Sequence, residues 1–302
     1  MEKVFYSSSM GKLIIKKIDK GKAKELIIKN HYSHKWQNGF GIINIGIFKD
    51  NCDKCLGVAV FCNMMNSNSY NNFGLNNKNE ILELNRMWID DCLGKNAESI
   101  LISNSFKIIK KEMPYVKLIQ SFADGRLGCG TIYKATNFHY YGYKINEFYE
   151  DLVTGEISMV GLLRRTDNMK KMIKDHKKIL DNQILFFKTK SYRYIYPLRK
   201  GALKGVKFKE LEYPKYYKGI EYYERDIKYW EFIRCYIGCF IYDYDKKTIE
   251  DFKLVLKKLN VEVNEIIEVL KTNKTILKLI DKKEKNIEDL EIKIRFDYKI
   301  NN

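Results

Sequence analysis

Apolar and polar positions along the first two hundred residues switch repeatedly between a period of two and a period near 3.6. Gly11 to Ile18 (GKLIIKKI) reads as a strand. Asp19 then caps a helix over Gly21 to Lys29 that places Ala23, Leu26 and Ile27 on one face. The helical pattern ends in Asn30-His31-Tyr32-Ser33-His34-Lys35-Trp36. Phe40 to Phe48 and Leu56 to Phe61 are β-rich runs joined by a polar hairpin segment, Lys49 to Cys55. A loop rich in Asn and Ser, Asn63 to Asn79, leads to a strand over Ile81 to Ile89. Gly94-Lys95-Asn96 opens a helix whose apolar face is Ile100, Leu101, Ser105, Ile108 and Ile109, and which stops before Pro114. Val116 to Phe122 is a further strand ending at Ala123-Asp124. Gly125 to Gly130 turns the chain into a short helix, Thr131 to Thr136, and Phe138 to Lys144 returns as a strand. Thr154-Gly155 marks a hairpin turn before Ile157 to Arg165.

The order β-α-β-β-β-α-β-α-β-β is that of the GNAT acyltransferase fold, so the expectation is an α/β (α+β) protein with a mixed, twisted central sheet. Asn168 to Gln183 reads as an amphipathic basic helix, and Ile184 to Leu198 as a strand pair or one long strand. Helical spacing recurs in Thr248 to Leu259, Asn264 to Leu270 and Thr275 to Ile280. With no recognisable recognition helix among them, these read as a helical cap on the sheet rather than a helix-turn-helix. Composition suggests a catalytic domain over residues 1–200 and a basic, aromatic and helical C-terminal extension over 201–302.

Charge adds a partner to this picture. The 302 residues carry 55 Lys and Arg against 38 Asp and Glu, a net +17, which suits a polyanion such as nucleic acid. Lysine enrichment in an AT-rich genome explains the same excess, and charge alone leaves both open. From Lys188 to Lys218 ten basic residues face two acidic ones, interleaved with tyrosines. Lys190, Tyr192, Arg193, Tyr194, Arg199, Lys200, Lys204 and Lys207 are therefore expected to contact DNA; the alternative is a half-buried strand with core tyrosines. No early apolar run has the shape of a signal peptide and no stretch of about 18 apolar residues could cross a membrane, so a cytoplasmic location is expected. The seven cysteines are odd in number and scattered, and Cys52 and Cys55 form a lone CxxC with no partner pair, so reduced thiols are expected rather than a zinc site.

Several polar residues could carry chemistry. Gly94, Lys95, Asn96 and Ser99 open the helix that in GNAT folds presents free N–H groups to a pyrophosphate. The usual Q/R-x-x-G-x-G/A loop is missing there, and Gly125-x-x-Gly128-x-Gly130 follows the wrong strand, so those glycines read as a tight packing turn. His31, Tyr32 and Asp124 offer imidazole, phenol and carboxylate, a set suited to a first-row metal or to a general base with orienting partners. Arg86 lies in a buried strand and should have an acidic partner, with Glu83 nearest in sequence.

Taken together, Asn30-His31-Tyr32-Ser33, Glu83-Leu84-Asn85-Arg86, Asn96-x-x-Ser99-x-x-Ile102-Ser103 and the stretch from Ser121-Phe122-Ala123-Asp124 to Gly130-Thr131-Ile132-Tyr133-Lys134-Ala135-Thr136-Asn137-Phe138 resemble the phage Mom family of DNA adenine-modification proteins. The resemblance covers roughly residues 25 to 145. It implies a GNAT-like enzyme that converts adenine in double-stranded DNA to N6-carbamoylmethyladenine and protects phage DNA from restriction. It further implies acetyl-CoA as carbon donor and iron at His31, Tyr32 and Asp124, with Arg86, Ser99 and Tyr133 as further catalytic candidates, in a protein made inside a bacterial host. An ordinary N-acetyltransferase and a nucleic-acid-binding protein without catalysis are the alternatives in other classes.

Overall fold

The computed structural model describes residues 2–7, 11–165 and 168–299. The chain forms two compact units from interleaved segments. Unit 1 is Met1–Ile145 with Lys190–Gly219, and unit 2 is Asn146–Thr189 with Ile220–Asn302. The boundary expected near residue 200 falls inside unit 1.

Unit 1 begins with β1 (Glu2–Ser7), which pairs antiparallel with β2 (Gly11–Lys17). Only three consecutive apolar residues, Val4 to Tyr6, mark β1, so no period-two signal betrays it in the sequence. The Asp19 carboxylate accepts the Lys22 N–H at 2.8 Å and starts α1 (Lys20–Asn30). β3 (Ile43–Lys49) and β4 (Gly57–Cys62) are buried on both faces: Val58 and Val60 pack with Ala23 and Ile27 of α1, while Ala59 and Phe61 join the core on the other side. β5 (Ile81–Ile89) lies antiparallel to β4 and parallel to β6 (Leu118–Asp124), with α2 (Ala97–Glu112) as the crossover that a parallel pair requires.

Two irregularities in this region position the site. β5 and β6 pair only from Ile81 with Leu118 to Leu84 with Ser121, and part beyond that point. At the same level Val60 faces Arg86 and Phe61 faces Leu84, so Asn85 is the extra residue of a β-bulge. The chain continues through α3 (Thr131–Ala135), β7 (His139–Asp151), β8 (Ile157–Met159) and α4 (Met169–Leu180). It returns as one long strand, β9 (Ile184–Pro197), antiparallel beside β6 from Leu118 with Pro197 to Asp124 with Ser191. The resulting sheet is mixed, as the element order predicts, and runs β1-β2-β3-β4-β5-β6-β9-β7 through unit 1.

In unit 2, β8 pairs with the far end of β7, and β10 (Glu221–Tyr222) with the near end of β9. Five helices follow: α5 (Tyr229–Ile241), α6 (Lys246–Lys258), α7 (Val263–Thr272), α8 (Lys274–Lys282) and α9 (Ile287–Lys299). With α4 they enclose a core of their own around Ile173, Phe232, Tyr236, Phe252 and Ile266. The expected helical cap on the sheet is thus a separately cored bundle. Its central helix, α5, carries nine buried residues and is apolar on nearly all sides, which erases the amphipathic period that would announce it. None of the described helices is long and apolar enough to cross a membrane.

Candidate active site

The parting of β5 and β6 opens a cleft of about 350 Å³ in unit 1, within the range of small-molecule sites. His31, Tyr32, Arg86, Asp124 and Tyr133 all line it. His31 ends α1: its backbone N–H closes on the Ile27 carbonyl at 3.0 Å and the chain then turns extended. The imidazole is buried. Its Nδ1 accepts the Ser33 backbone N–H at 3.1 Å and lies 2.8 Å from Ser33 Oγ, so in the neutral ring the proton sits on Nε2. Burial, followed by the charges of Arg86 and His34, lowers its pKa from 6.5 to about 4. His31 therefore meets the cleft as a neutral N–H donor.

Tyr32 tilts against the His31 ring, with centroids 4.2 Å apart, and its hydroxyl donates to Asp124 Oδ2 over a long 3.4 Å. Half of its surface is exposed, yet desolvation in the cleft and then the Asp124 charge push the phenol up to about 12, so it stays protonated. Asp124 is held by Arg126, whose Nε lies 3.0 Å from both carboxylate oxygens and whose Nη2 lies 2.5 Å from Oδ2. The Arg126 backbone N–H adds a third donor at 3.0 Å to Oδ1. Neither Arg126 nor Ser33 stands out in sequence reasoning, although both are two residues from the group they hold.

The bulge decides the surroundings of Arg86. Its Nη1 donates to the Asn85 carbonyl at 2.7 Å and to Asn85 Oδ1 at 3.1 Å, and the guanidinium sits 5.1 Å above the Phe40 ring. Glu83 instead accepts from Asn85 Nδ2 (2.7 Å) and Gln120 Nε2 (3.1 Å). The ion pair expected between Glu83 and Arg86 is thus replaced by an amide standing between acid and cation, and Arg86 Nε is buried without a partner. Tyr133 shares a 2.8 Å hydrogen bond with Ser121 of β6 and stacks on Tyr194 at 4.9 Å. Gly130 permits that packing: at φ +89 a Cβ would come within 2.8 Å of Ala123, Tyr133 and Tyr194, which agrees with the packing-turn reading.

Ser99 does not join the cleft. It lines a separate groove of about 380 Å³ along α2, with Ser103, Lys107, Lys110, Thr136 and Asn137. Gly94, Lys95 and Asn96 precede α2; Asn96 takes φ +70 and makes no side-chain cap, so the first-turn N–H groups of α2 carry no side-chain cap from it.

The donors His31, Tyr32 and Asp124 converge but do not fit a metal as they stand. The Nδ1 lone pair is taken by the Ser33 N–H, the Tyr32 hydroxyl is turned onto Asp124 and the carboxylate is gripped by Arg126. Among the described residues no group of three His, Cys, Asp or Glu is placed to hold a metal ion.

The basic segment divides. Tyr192 and Tyr194 are 2% and 1% exposed and belong to the core, where the Tyr194 hydroxyl donates to the Cys129 carbonyl; they offer no stacking surface. The Arg193 guanidinium packs 3.9 Å over the Phe208 ring. Arg199, Lys200 and Lys204 line a cavity of about 260 Å³ with Lys110 and no acidic residue, and Arg199 Nη2 donates to the Lys110 carbonyl at 2.7 Å. Lys190 lies between the rings of Tyr143 and Tyr217, at 4.6 and 4.7 Å. The backbone N–H of Lys207 ties to the Asn72 carbonyl at 2.9 Å. Unit 1 holds 30 of the basic residues against 14 acidic, whereas unit 2 holds 25 against 24, so nearly all the net charge travels with the cleft. A larger cavity, about 700 Å³, lies in unit 2, but its Lys171, Lys177 and Lys178 are paired with Asp175, Asp251 and Asp151, and none of the candidate residues lines it.

Residues 12–215, which include every residue lining the cleft except Tyr216, match the Mom protein family. The chain belongs to that family. It is 33% identical over 202 residues to the methylcarbamoylase mom of Escherichia phage Mu, covering 64% of this chain and 80% of that Mom protein. Among solved structures it is similar to Arabidopsis thaliana NAA60 in complex with acetyl-CoA (TM-score 0.39, 8% identity, 61% of this chain and 98% of that one). It is also similar to the ribosomal-protein-S5-alanine acetyltransferase of Vibrio fischeri (TM-score 0.38, 9% identity, 66% and 98%). Overlays this loose carry no functional weight, and the fold rests on the element order and strand pairing above.

Proposed function

We propose that this Mom-family chain is a transferase that places a carbamoylmethyl group on N6 of adenine in double-stranded DNA and so shields phage DNA from restriction. One observation carries the reading: His31, Tyr32, Arg86 and Asp124 meet in a single cleft of the unit that holds nearly all the positive charge. A duplex is drawn to that unit by its phosphates, and the target base is turned out of the stack into the cleft. There the neutral His31 Nε2–H acts as donor to an acceptor atom of the bound groups, while the Tyr32 hydroxyl keeps its proton on Asp124 and its oxygen can accept. Asp124, the one carboxylate lining the cleft among the described residues, accepts the N–H of the exocyclic amine while Arg126 holds it in place. Arg86 brings its guanidinium to the cleft wall, a cation beside which a negative charge can develop.

Acetyl-CoA supplies the two carbons in this reading, while an amine nitrogen donor that displaces the CoA thiol and a two-electron oxidant that allows the methyl carbon to join N6 are co-reactants from outside the cleft residues. The start of α2, although Glu98 lies in its first turn, presents free N–H groups, and the groove with Ser99, Lys107 and Lys110 has no acidic residue in its lining; together they would hold its phosphates. No step is assigned to iron. Nucleoside mass spectrometry of DNA from cells expressing the protein tests the proposal: carbamoylmethylated adenine is expected with wild type and absent with Asp124→Asn. Unmodified DNA from cells containing folded wild-type protein counts against it, and DNA-independent consumption of acetyl-CoA on amines would point to an ordinary N-acetyltransferase instead.

A further inference from the structure

Leu127 is 54% exposed, lines the cleft and belongs to none of the buried clusters. Its place at the mouth is fixed by backbone bonds. The N–H groups of Leu127 and Gly128 both reach the Asp124 carbonyl, at 2.9 and 3.2 Å. Gly125 donates to the Lys190 carbonyl at 2.8 Å and accepts from Gly219 at 3.0 Å, tying the turn to β9 and to the segment after it. The next position favours glycine through its backbone: Gly128 has φ +138, which L side chains rarely adopt, and it faces the ring of Tyr216, itself 72% exposed and part of the cleft lining. Beside the turn, Lys190 sits between two half-exposed rings, Tyr143 and Tyr217. A single exposed leucine needs no explanation. A leucine braced at the rim of a base-sized cleft, among exposed tyrosines and lysines in the strongly positive unit, has the character of the apolar wedges that proteins insert between base pairs.

We infer that Leu127 enters the base stack as the target adenine leaves it, filling the gap while the same turn keeps Asp124 at the extruded base. The inference rests on the DNA-modification reading above. An enzyme acting on a base must unstack it first, and a base that is already unpaired needs less help. Leu127 is therefore a positioning residue for paired substrate only.

The test compares wild type, Leu127→Ala and Leu127→Met on two duplexes, one fully paired and one with the target adenine opposite an abasic site. Leu127→Ala is expected to modify the paired duplex at least tenfold more slowly and to recover to within about threefold of wild type on the abasic one, with Leu127→Met close to wild type on both. With 2-aminopurine at the target position, wild type should raise the fluorescence of the paired duplex and Leu127→Ala should not. Equal losses on both duplexes, or none on the paired one, overturn the wedge while leaving the modification reading intact. Wild-type protein that modifies neither duplex overturns that reading and the wedge with it. A thermal midpoint for Leu127→Ala matching wild type, as its exposure predicts, separates these outcomes from misfolding.

Discussion

The backbone N–H of Ser33 donates to Nδ1 of His31 at 3.1 Å, and this fixes which nitrogen of the cleft imidazole carries the proton. His31 follows the last turn of α1, where the chain must leave the helix anyway, so the residue two positions on can fold back onto the ring. A side chain placed for chemistry is thereby held by the geometry that ends a helix.

Acid stability should register this arrangement. The folded protein binds the His31 proton more weakly than the unfolded chain, with a pKa of about 4 against 6.5. The neutral imidazole's contribution is thus fully present above pH 6.5 and is lost as pH falls from 6.5 toward 4, up to about 3 kcal/mol. Urea midpoints followed from pH 7 to 4 should fall more steeply for wild type than for His31→Gln. Parallel curves would show that His31 titrates normally.

The fate of the tyrosines in β9 yields a second expectation. Tyr194→Phe removes a buried hydroxyl that donates to the Cys129 carbonyl, and should cost about 1 kcal/mol of stability with DNA affinity unchanged. Tyr194→Ala should cost about 3–5 kcal/mol through the cavity it leaves. Chemical denaturation gives the first quantity and fluorescence anisotropy with labelled duplex the second. A fall in affinity for Tyr194→Phe without loss of stability would return Tyr194 to the DNA surface.

Much of unit 1 was legible because local signals agreed with the fold: Asp19 as a cap, the apolar face of α1, Pro114 after α2 and the glycines before α3 each have a local cause. The spacing Tyr192-x-Tyr194-x-Tyr196 also held the clue to its own burial, since alternate residues of a strand share one face. What sequence could not show depends on register. The bulge that puts Asn85 between Glu83 and Arg86 exists only in the pairing of β4 with β5. The interleaving of the two units depends on β7 and β9 each running from one unit into the other, which composition does not record. α5 escaped for the opposite reason: a helix apolar on nearly all sides leaves little pattern of polar and apolar positions to read.

Lys200 and Lys204 line an acid-free cavity with Lys110 and Arg199, an arrangement suited to DNA phosphates. Replacing both lysines with Ala should weaken duplex binding uniformly across sequences and lower the slope of log K against log salt by about 0.9 per lost contact. Titrations between 50 and 200 mM salt, values chosen to span about three to five decades for a multi-contact protein, measure the slope. An unchanged slope would remove this cavity from the DNA path.

Unit 2 carries a buried charge cluster whose failure should be severe. Glu231 of α5 is fully buried, accepts from Arg225 Nη2 at 2.7 and 3.1 Å, and lies 3.2 Å from His176 Nε2. Burial alone would raise its pKa, but His176 and Arg225 outweigh that and hold the carboxyl down at about 2. The folded value lies below the ordinary glutamate value of 4.5, so the cluster's contribution is present above pH 4.5 and lost as pH falls toward 2. Arg225→Met removes the nearest cation, leaving the carboxylate only His176 and Arg164 Nε at 3.6 Å, and should destabilise the fold by up to about 3–5 kcal/mol at neutral pH. Adding Glu231→Gln removes the stranded charge and should restore part of that loss, so the two effects fall short of additivity. A double-mutant cycle by urea denaturation at pH 7 reads the coupling directly; additive losses would mean that Arg225 acts through packing rather than through its charge.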